Sequence, residues 1–233
     1  MTRFRIFVSL LPLCFVAGAA IVQTAKQPKV QPGPNEPDWK VILEKKYRLS
    51  MFADLLNPVE TTTEATPGLF VKAGPGPVQY QVEIALGLDT ITRGGWYRGG
   101  NTPKKPEKKE LWSYRYKNTT HDIETGEHLP PPLLEGSTST FEPGEEPFGV
   151  WVSNDGLKDG GVFSEPKVVL ALNARLAKQP YKAMIYPVKD RKSGAIVPNS
   201  YLIGWEYSTN DDFQDVVCRI DNVRLVVPIK PLP

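Results

Sequence analysis

Residues 201–220 read YLIGWEYSTNDDFQDVVCRI, two apolar runs separated by a stretch rich in carboxylates. Both runs contain many β-branched and aromatic residues, which is typical of β-strands. We therefore predict a hairpin whose first strand ends at Glu206 and whose second strand starts near Asp212, with residues 207–211 as the loop. Glu206 and Asp212 would then face each other across the ladder, where like charges destabilise the pairing.

Short segments of the same kind recur along the chain. Between positions 78 and 84, the even-numbered residues are apolar and the odd-numbered residues are polar. Such alternation is typical of antiparallel sheets with one solvated face, and many short strands separated by turns indicate a sandwich. We predict a mainly β protein, a single antiparallel β-sandwich of jelly-roll-like form with one or two short helices. The predicted strands cover residues 68–73, 78–86, 110–118, 148–154, 182–188, 200–206 and 215–227.

Two segments have the spacing of helices. In residues 36–56 apolar side chains recur every three or four positions, and Asp38 is a candidate N-cap. A short helix followed by a strand is the alternative for this segment. Residues 166–179 read either as a helix or as a strand followed by a helical turn.

The first residues follow the charge–apolar–small order of a secretory signal peptide. Arg3 and Arg5 precede an apolar stretch over residues 6–22, and residues 17–19 are Ala-Gly-Ala. This order indicates a signal peptide over residues 1–19, cleaved before Ala20, and an uncleaved membrane anchor is the alternative. We accordingly predict a secreted, periplasmic or cell-surface protein.

The rest of the chain divides by composition. We predict a Pro-rich linker over residues 20–37, the β-sandwich domain over residues 38–227, and a Pro-rich tail over residues 228–233. Cleavage of the signal peptide removes Cys14 and leaves Cys218, so we expect no internal disulfide. Cys218 lies among valines, where we interpret it as a small buried hydrophobe.

The charge of the chain is close to balanced. Its formal net charge is +2, and removal of Arg3 and Arg5 with the signal peptide leaves equal numbers of basic and acidic residues. A protein that binds nucleic acid or anionic lipid through its overall field has a marked excess of positive charge. We therefore predict neither as a partner, and no membrane contact beyond the signal peptide.

The acidic stretch is a candidate cation site. Oxygen ligands without nearby His or Cys favour Ca²⁺, which accepts about 6–8 oxygens in irregular geometry. The candidate ligands are Glu206, Asn210, Asp212 and Asp215, with Asp155 as a weaker candidate from another loop. An acidic turn that is simply solvated is the alternative interpretation.

A second candidate site is aromatic. Trp96 and Tyr97 lie between glycine pairs in RGGWYRGG, residues 93–100, which suggests a loop that exposes two rings. Exposed aromatic rings can stack on sugars, so this pair is a candidate ligand-binding platform. The alternative is that both rings fill the core or cover a sheet face.

The C-terminal half resembles a domain of unknown function from secreted and surface proteins of bacteria. That domain ends in Gly-Trp-Glu-Asp, a short gap, and Asp-x-Asp-Phe-Asn-Asp-Val-Val. Here Gly204-Trp205-Glu206 and residues 210–217 match it, with Tyr207 and Asn210 each in place of an Asp and Gln214 in place of an Asn. The resemblance covers residues 141–227 and implies an extracellular β-sandwich with a calcium-type acidic loop. Residues 39–131 lie outside it and resemble a planctomycete-like extension.

Three functions are consistent with these features. The first is a secreted, non-enzymatic β-sandwich, Ca²⁺-stabilised, for surface adhesion, scaffolding or glycan binding. The second is a carboxylate-dependent hydrolase of extracellular polysaccharide, and the third is a protein-assembly component of the cell envelope. The chain has no Gly-x-Ser-x-Gly and no His-Glu-x-x-His motif. We therefore favour the first function, with a glycan or an envelope protein as partner.

Overall fold

Two antiparallel sheets make up most of the described chain. The computed structural model describes residues 30, 36–56, 68–99, 106–157, 161–172 and 180–226; the predicted signal peptide and Pro-rich tail lie outside these ranges. The strands are β1 (Phe70–Lys72), β2 (Val78–Ala85), β3 (Ile91–Arg98), β4 (Lys108–Arg115), β5 (Thr140–Phe141), β6 (Phe148–Asn154), β7 (Val162–Phe163), β8 (Ala183–Lys189), β9 (Ile196–Trp205), β10 (Val216–Asp221) and β11 (Val223–Leu225).

The strands are divided between a first and a second sheet. The first sheet has the order β11-β1-β6-β3-β4, with β7 paired to β6, and the second has the order β5-β2-β10-β9-β8. Every named pairing is antiparallel. The prediction of a mainly β sandwich with few short helices is confirmed.

The main core lies between the two sheets and is rich in aromatic side chains. Tyr80 of β2 packs against Trp112 of β4 with ring centroids 5.5 Å apart. At the other end Trp96 of β3 stacks on Phe141 of β5 at 5.2 Å. Such pairs add about 0.5–1.5 kcal/mol each to the burial of their apolar surface. Cys218 is fully buried in the same core, as predicted.

The N-terminal arm, which we define as residues 36–56, covers the outer face of the second sheet. It starts with α1 (Trp39–Ile42), which is capped by Asp38: the Asp38 carboxylate accepts a hydrogen bond from the Lys40 N–H at 2.8 Å. A π-helical turn, Leu43–Tyr47, continues the helix, which ends where Arg48 adopts a left-handed φ of 57°. The helix is therefore shorter than its apolar pattern suggests.

The arm forms a second hydrophobic cluster with the sheet beneath it. The cluster includes Trp39 and Leu43 from the arm, Met184 and Tyr186 from β8, and Phe213 from the acidic loop. The Trp39 indole N–H donates to the Tyr186 hydroxyl at 3.3 Å. Both faces of the second sheet are therefore buried at this end.

The second helix covers part of the first sheet. It is α2 (Pro166–Leu172), which settles the ambiguity in favour of a helix over these residues. Within the described ranges, neither helix has the length and apolar character needed to cross a lipid bilayer.

The hairpin between β9 and β10 differs from its prediction. Trp205 pairs with Val216, so the loop covers the ten residues 206–215 rather than residues 207–211. The predicted cross-strand pair of Glu206 and Asp212 is wrong. The Glu206 carboxylate instead accepts the Asp212 backbone N–H at 2.8 Å, so a side chain takes the place of a ladder partner.

Replacement of Trp39 tests how much the arm contributes to stability. Because Trp39 is fully buried, Trp39→Ala should lower the free energy of unfolding by about 3–5 kcal/mol. Val41 lies on the same helix and is 39% exposed, so Val41→Ala should change it by about 0.5 kcal/mol or less. Urea denaturation measures both values. Equal effects of the two substitutions would show that the arm does not contribute to the folded core.

Candidate metal centre

The register of the β9–β10 hairpin places two carboxylates side by side. Trp205 and Val216 are the last paired residues, and Glu206 and Asp215 directly follow and precede them. The loop brings the Asp212 carboxylate beside those of Glu206 and Asp215. One carboxylate oxygen from each of the three lies within 4.8 Å of the others. All three side chains are buried, Asp215 being the most exposed at 4%.

The loop returns to the sheet through two unusual backbone conformations. Asp211 and Phe213 have φ angles of 60° and 61°, on either side of Asp212. Non-glycine residues rarely adopt such angles, and the surrounding structure must hold them. Phe213 is fully buried in the cluster under the N-terminal arm, and Trp205 is fully buried between the sheets. These two buried side chains anchor the loop on opposite faces of the sheet.

Backbone N–H groups donate to three of the six carboxylate oxygens. Glu206 accepts from the N–H of Ser208 at 2.7 Å and from that of Asp212 at 2.8 Å. Asp215 accepts from the N–H of Tyr207 at 2.9 Å. Asp212 Oδ2 accepts from the Asn210 side-chain amide. Asp212 Oδ1 is buried and has no hydrogen-bond partner among the described residues.

The surroundings of Asp212 and Asp215 disfavour the ionised form of both carboxyl groups. Burial, followed by the charge of Glu206, raises the pKa of Asp212 to about 7. Burial, followed by the charges of Glu206 and Asp212, raises the pKa of Asp215 well above its usual value. No Lys or Arg in the described part of the chain forms an ion pair with any of the three. A shared proton or a bound cation would relieve this repulsion.

A buried lysine neutralises a different carboxylate of the loop. Lys182, just before β8, is 1% exposed, and its ammonium donates to Asp211 Oδ1 at 3.0 Å and to the Ser208 carbonyl at 3.1 Å. Residues 193–218 contain no Lys or Arg, so this partner comes from outside the local sequence. It leaves Glu206, Asp212 and Asp215 without a positively charged partner among the residues that the structure describes.

The predicted ligands separate into two groups. Glu206, Asp212 and Asp215 come together, and Asn210 joins them through its amide. Asp155 is not in the group; it lies at the end of β6 and is paired with Arg93, with Oδ1 3.1 Å from Nε. Sequence reasoning missed Glu36, whose carboxylate accepts from the Gln214 side-chain amide at 3.0 Å. No local pattern links Glu36 to a loop that lies 178 positions later.

The aromatic pair occupies the core instead of a loop. Trp96 and Tyr97 lie in β3, with exposed fractions of 5% and 1%. Trp96 stacks on Phe141 between the sheets, and Tyr97 packs edge-on against Phe163 on the outer face. The prediction of an exposed loop is wrong, and these two residues offer no platform for a sugar.

The geometry suits an ion that binds oxygen. Three carboxylates with oxygens within 4.8 Å of one another would supply hard oxygen ligands. Cys218 is fully buried in the core between the sheets rather than in this loop. No family model matches the chain, and no curated protein or solved structure is significantly similar to it.

The raised pKa values make the stability of the metal-free protein depend on pH. The folded Asp212 carboxyl holds its proton up to pH values near its pKa of about 7, whereas the unfolded one loses it near 3.8. Folding therefore binds protons in this window, and this contribution to stability is lost as the pH rises through it. Each pKa unit corresponds to about 1.4 kcal/mol.

We expect Asp212→Asn to reduce the loss of stability between pH 4 and 7, since the amide does not titrate. Urea denaturation in EDTA at several pH values measures this change. Asp155→Asn, which removes an exposed carboxylate outside the group, is the control. A wild-type and an Asp212→Asn profile with the same slope would contradict the assignment of this titration to the cluster.

Proposed function

We propose that the protein is a Ca²⁺-stabilised, non-enzymatic β-sandwich module that acts outside the cytoplasm in adhesion or scaffolding. One observation carries the proposal: three carboxylates are buried within 4.8 Å of one another, and Asp212 Oδ1 has no partner among the described residues. Buried charges are normally paired or coordinate a metal, since an isolated buried charge costs several kcal/mol. A cation would supply the missing charge and the missing partner together.

Calcium fits this site better than other common ions. Mg²⁺ requires near-octahedral geometry at about 2.0–2.1 Å and retains several waters, which a buried group with side chains 0–4% exposed does not favour. Zn²⁺ favours His and Cys ligands, and the group contains neither. An irregular loop of ten residues can adjust its carbonyls to the larger and more variable shell of Ca²⁺.

The same burial argues against the hydrolase alternative at this site. Glycosidase carboxyl groups stand about 5–10 Å apart and face a substrate in a cleft. Here the carboxylates are closer and their side chains are at most 4% exposed. Because Trp96 and Tyr97 are also buried, we favour an envelope protein over a glycan as the partner.

Export of the protein is the second part of the proposal. It is supported by the basic, apolar and small-residue order of residues 1–19, and by the resemblance of residues 141–227 to a domain of secreted proteins. Calcium-stabilised modules are suited to such compartments, because sites with dissociation constants of about 10⁻⁴–10⁻³ M are typical of extracellular proteins.

Thermal unfolding in EGTA, in millimolar Ca²⁺ and in millimolar Mg²⁺ tests the cation site. At a Ca²⁺ concentration of about a hundred times Kd, binding adds about 2.7 kcal/mol, which raises the Tm by about 5–10 °C for a chain of this size. The rise should be absent from the Asp212→Asn/Asp215→Asn protein and retained in Asp155→Asn. A wild-type Tm that is the same in EGTA and in Ca²⁺ would overturn the site.

Export can be checked from the mature N-terminus. Full-length chain expressed in a Gram-negative host should appear in the periplasm or medium and start at Ala20. Replacing Arg3 and Arg5 with Glu should reduce processing, because a signal peptide requires a positive start. Uncleaved protein recovered only from the cytoplasm would contradict the proposed export.

A further inference from the structure

The N-terminal arm reaches the acidic loop at its first residue. Glu36 Oε2 accepts a hydrogen bond from the Gln214 side-chain amide at 3.0 Å. Gln214 is fully buried between Phe213 and Asp215, and its own amide oxygen has no partner in the described part of the chain. The contact therefore links the arm to the segment that carries two of the three clustered carboxylates.

A packing contact connects the same two segments. Trp39 lies against Gly204 of β9, where an added Cβ would stand 2.5 Å from Trp39 Cζ2 and 2.8 Å from the Phe213 carbonyl oxygen. Trp39 and Phe213 also belong to the same buried cluster. Arm, strand and loop thus meet at one point, and a shift of the loop cannot leave the first turn of the arm unchanged.

The charge of Glu36 makes this contact unfavourable when the site holds no cation. Glu36 is joined to the loop at Gln214, which lies between the clustered residues Asp212 and Asp215. The loop's own lysine partner, Lys182, is engaged with Asp211. Docking of the arm therefore brings a fourth carboxylate towards three that already repel one another. A divalent cation among them would turn that repulsion into attraction.

We propose that cation binding among Glu206, Asp212 and Asp215 and docking of residues 36–42 stabilise each other, with Glu36 linking the arm to the loop through Gln214. The inference rests on the proposed function, in particular on the buried and unpartnered oxygen of Asp212. Coupling between two events is reciprocal: if Ca²⁺ favours the docked arm, the docked arm raises the affinity for Ca²⁺.

Calorimetric titration of Ca²⁺ into the full chain tests whether Glu36 contributes to the Ca²⁺ affinity. Glu36→Gln keeps the side-chain shape and should weaken Ca²⁺ binding about fivefold or more. Glu44→Gln is the matched control in the same arm, because Glu44 is exposed and lies beside only Lys40 in an i,i+4 pair. It should change the affinity less than twofold. Equal affinities of both variants and the wild type would overturn the role of Glu36.

Hydrogen exchange with and without Ca²⁺ tests whether Ca²⁺ binding stabilises the docked arm. Amides of residues 36–42 should exchange at least severalfold more slowly in Ca²⁺ than in EGTA, and Glu36→Gln should remove most of that difference. The end of the arm is an internal control, since the Met51 carbonyl and the Leu56 N–H are held by Tyr186 and Ile185 of β8. Its exchange should not change.

The outcomes separate the two proposals. If calorimetry shows no Ca²⁺ binding by the wild type, the cation site and the coupling both fail. If the wild type binds Ca²⁺ but the exchange of residues 36–42 is the same with and without it, the cation site stands and the coupling is overturned.

Discussion

The pairing of Trp205 with Val216 is the constraint on which the acidic loop depends. It places Glu206 and Asp215 at the end of a hairpin in the middle of the second sheet, where neither has access to solvent. Burial of ionised carboxylates is unfavourable unless they are paired, protonated or bound to metal. The packing that forms the sandwich therefore buries these carboxylates, and the loop must provide hydrogen bonds, a proton or a cation to offset the cost of their burial.

The loop is held from both faces of the sheet. Trp205 lies in the core between the sheets, and Phe213 lies under the N-terminal arm. Tyr207 is a third anchor: its hydroxyl accepts the Leu88 N–H at 3.0 Å, and its own N–H donates to Asp215. Tyr207 thus fixes the loop to the β2–β3 turn. These anchors explain how Asp211 and Phe213 keep left-handed backbone angles.

The β-sandwich could be predicted because alternation reports directly on which strand face is buried. The errors come from long-range packing. Gly94 and Gly95 read as turn residues, but a Cβ on Gly94 would overlap the ring of Trp112, and one on Gly95 would overlap the backbone of Lys109. They lie inside β3 because neighbours approach closely, which is a known use of glycine in strands. The contributions of Lys182 and Glu36 to the acidic loop depend on tertiary contacts, so no local spacing could reveal them.

A proton and a cation are two alternative ways to reduce the negative charge of the buried carboxylates Glu206, Asp212 and Asp215. The pKa of about 7 for Asp212 means that, near neutral pH, the metal-free loop can still hold a proton. In the proposed site Ca²⁺ would have to displace that proton, so its affinity would increase as the pH rises. Under the proposed coupling, Ca²⁺ would add stability to the packing of the first turn of the arm on the loop.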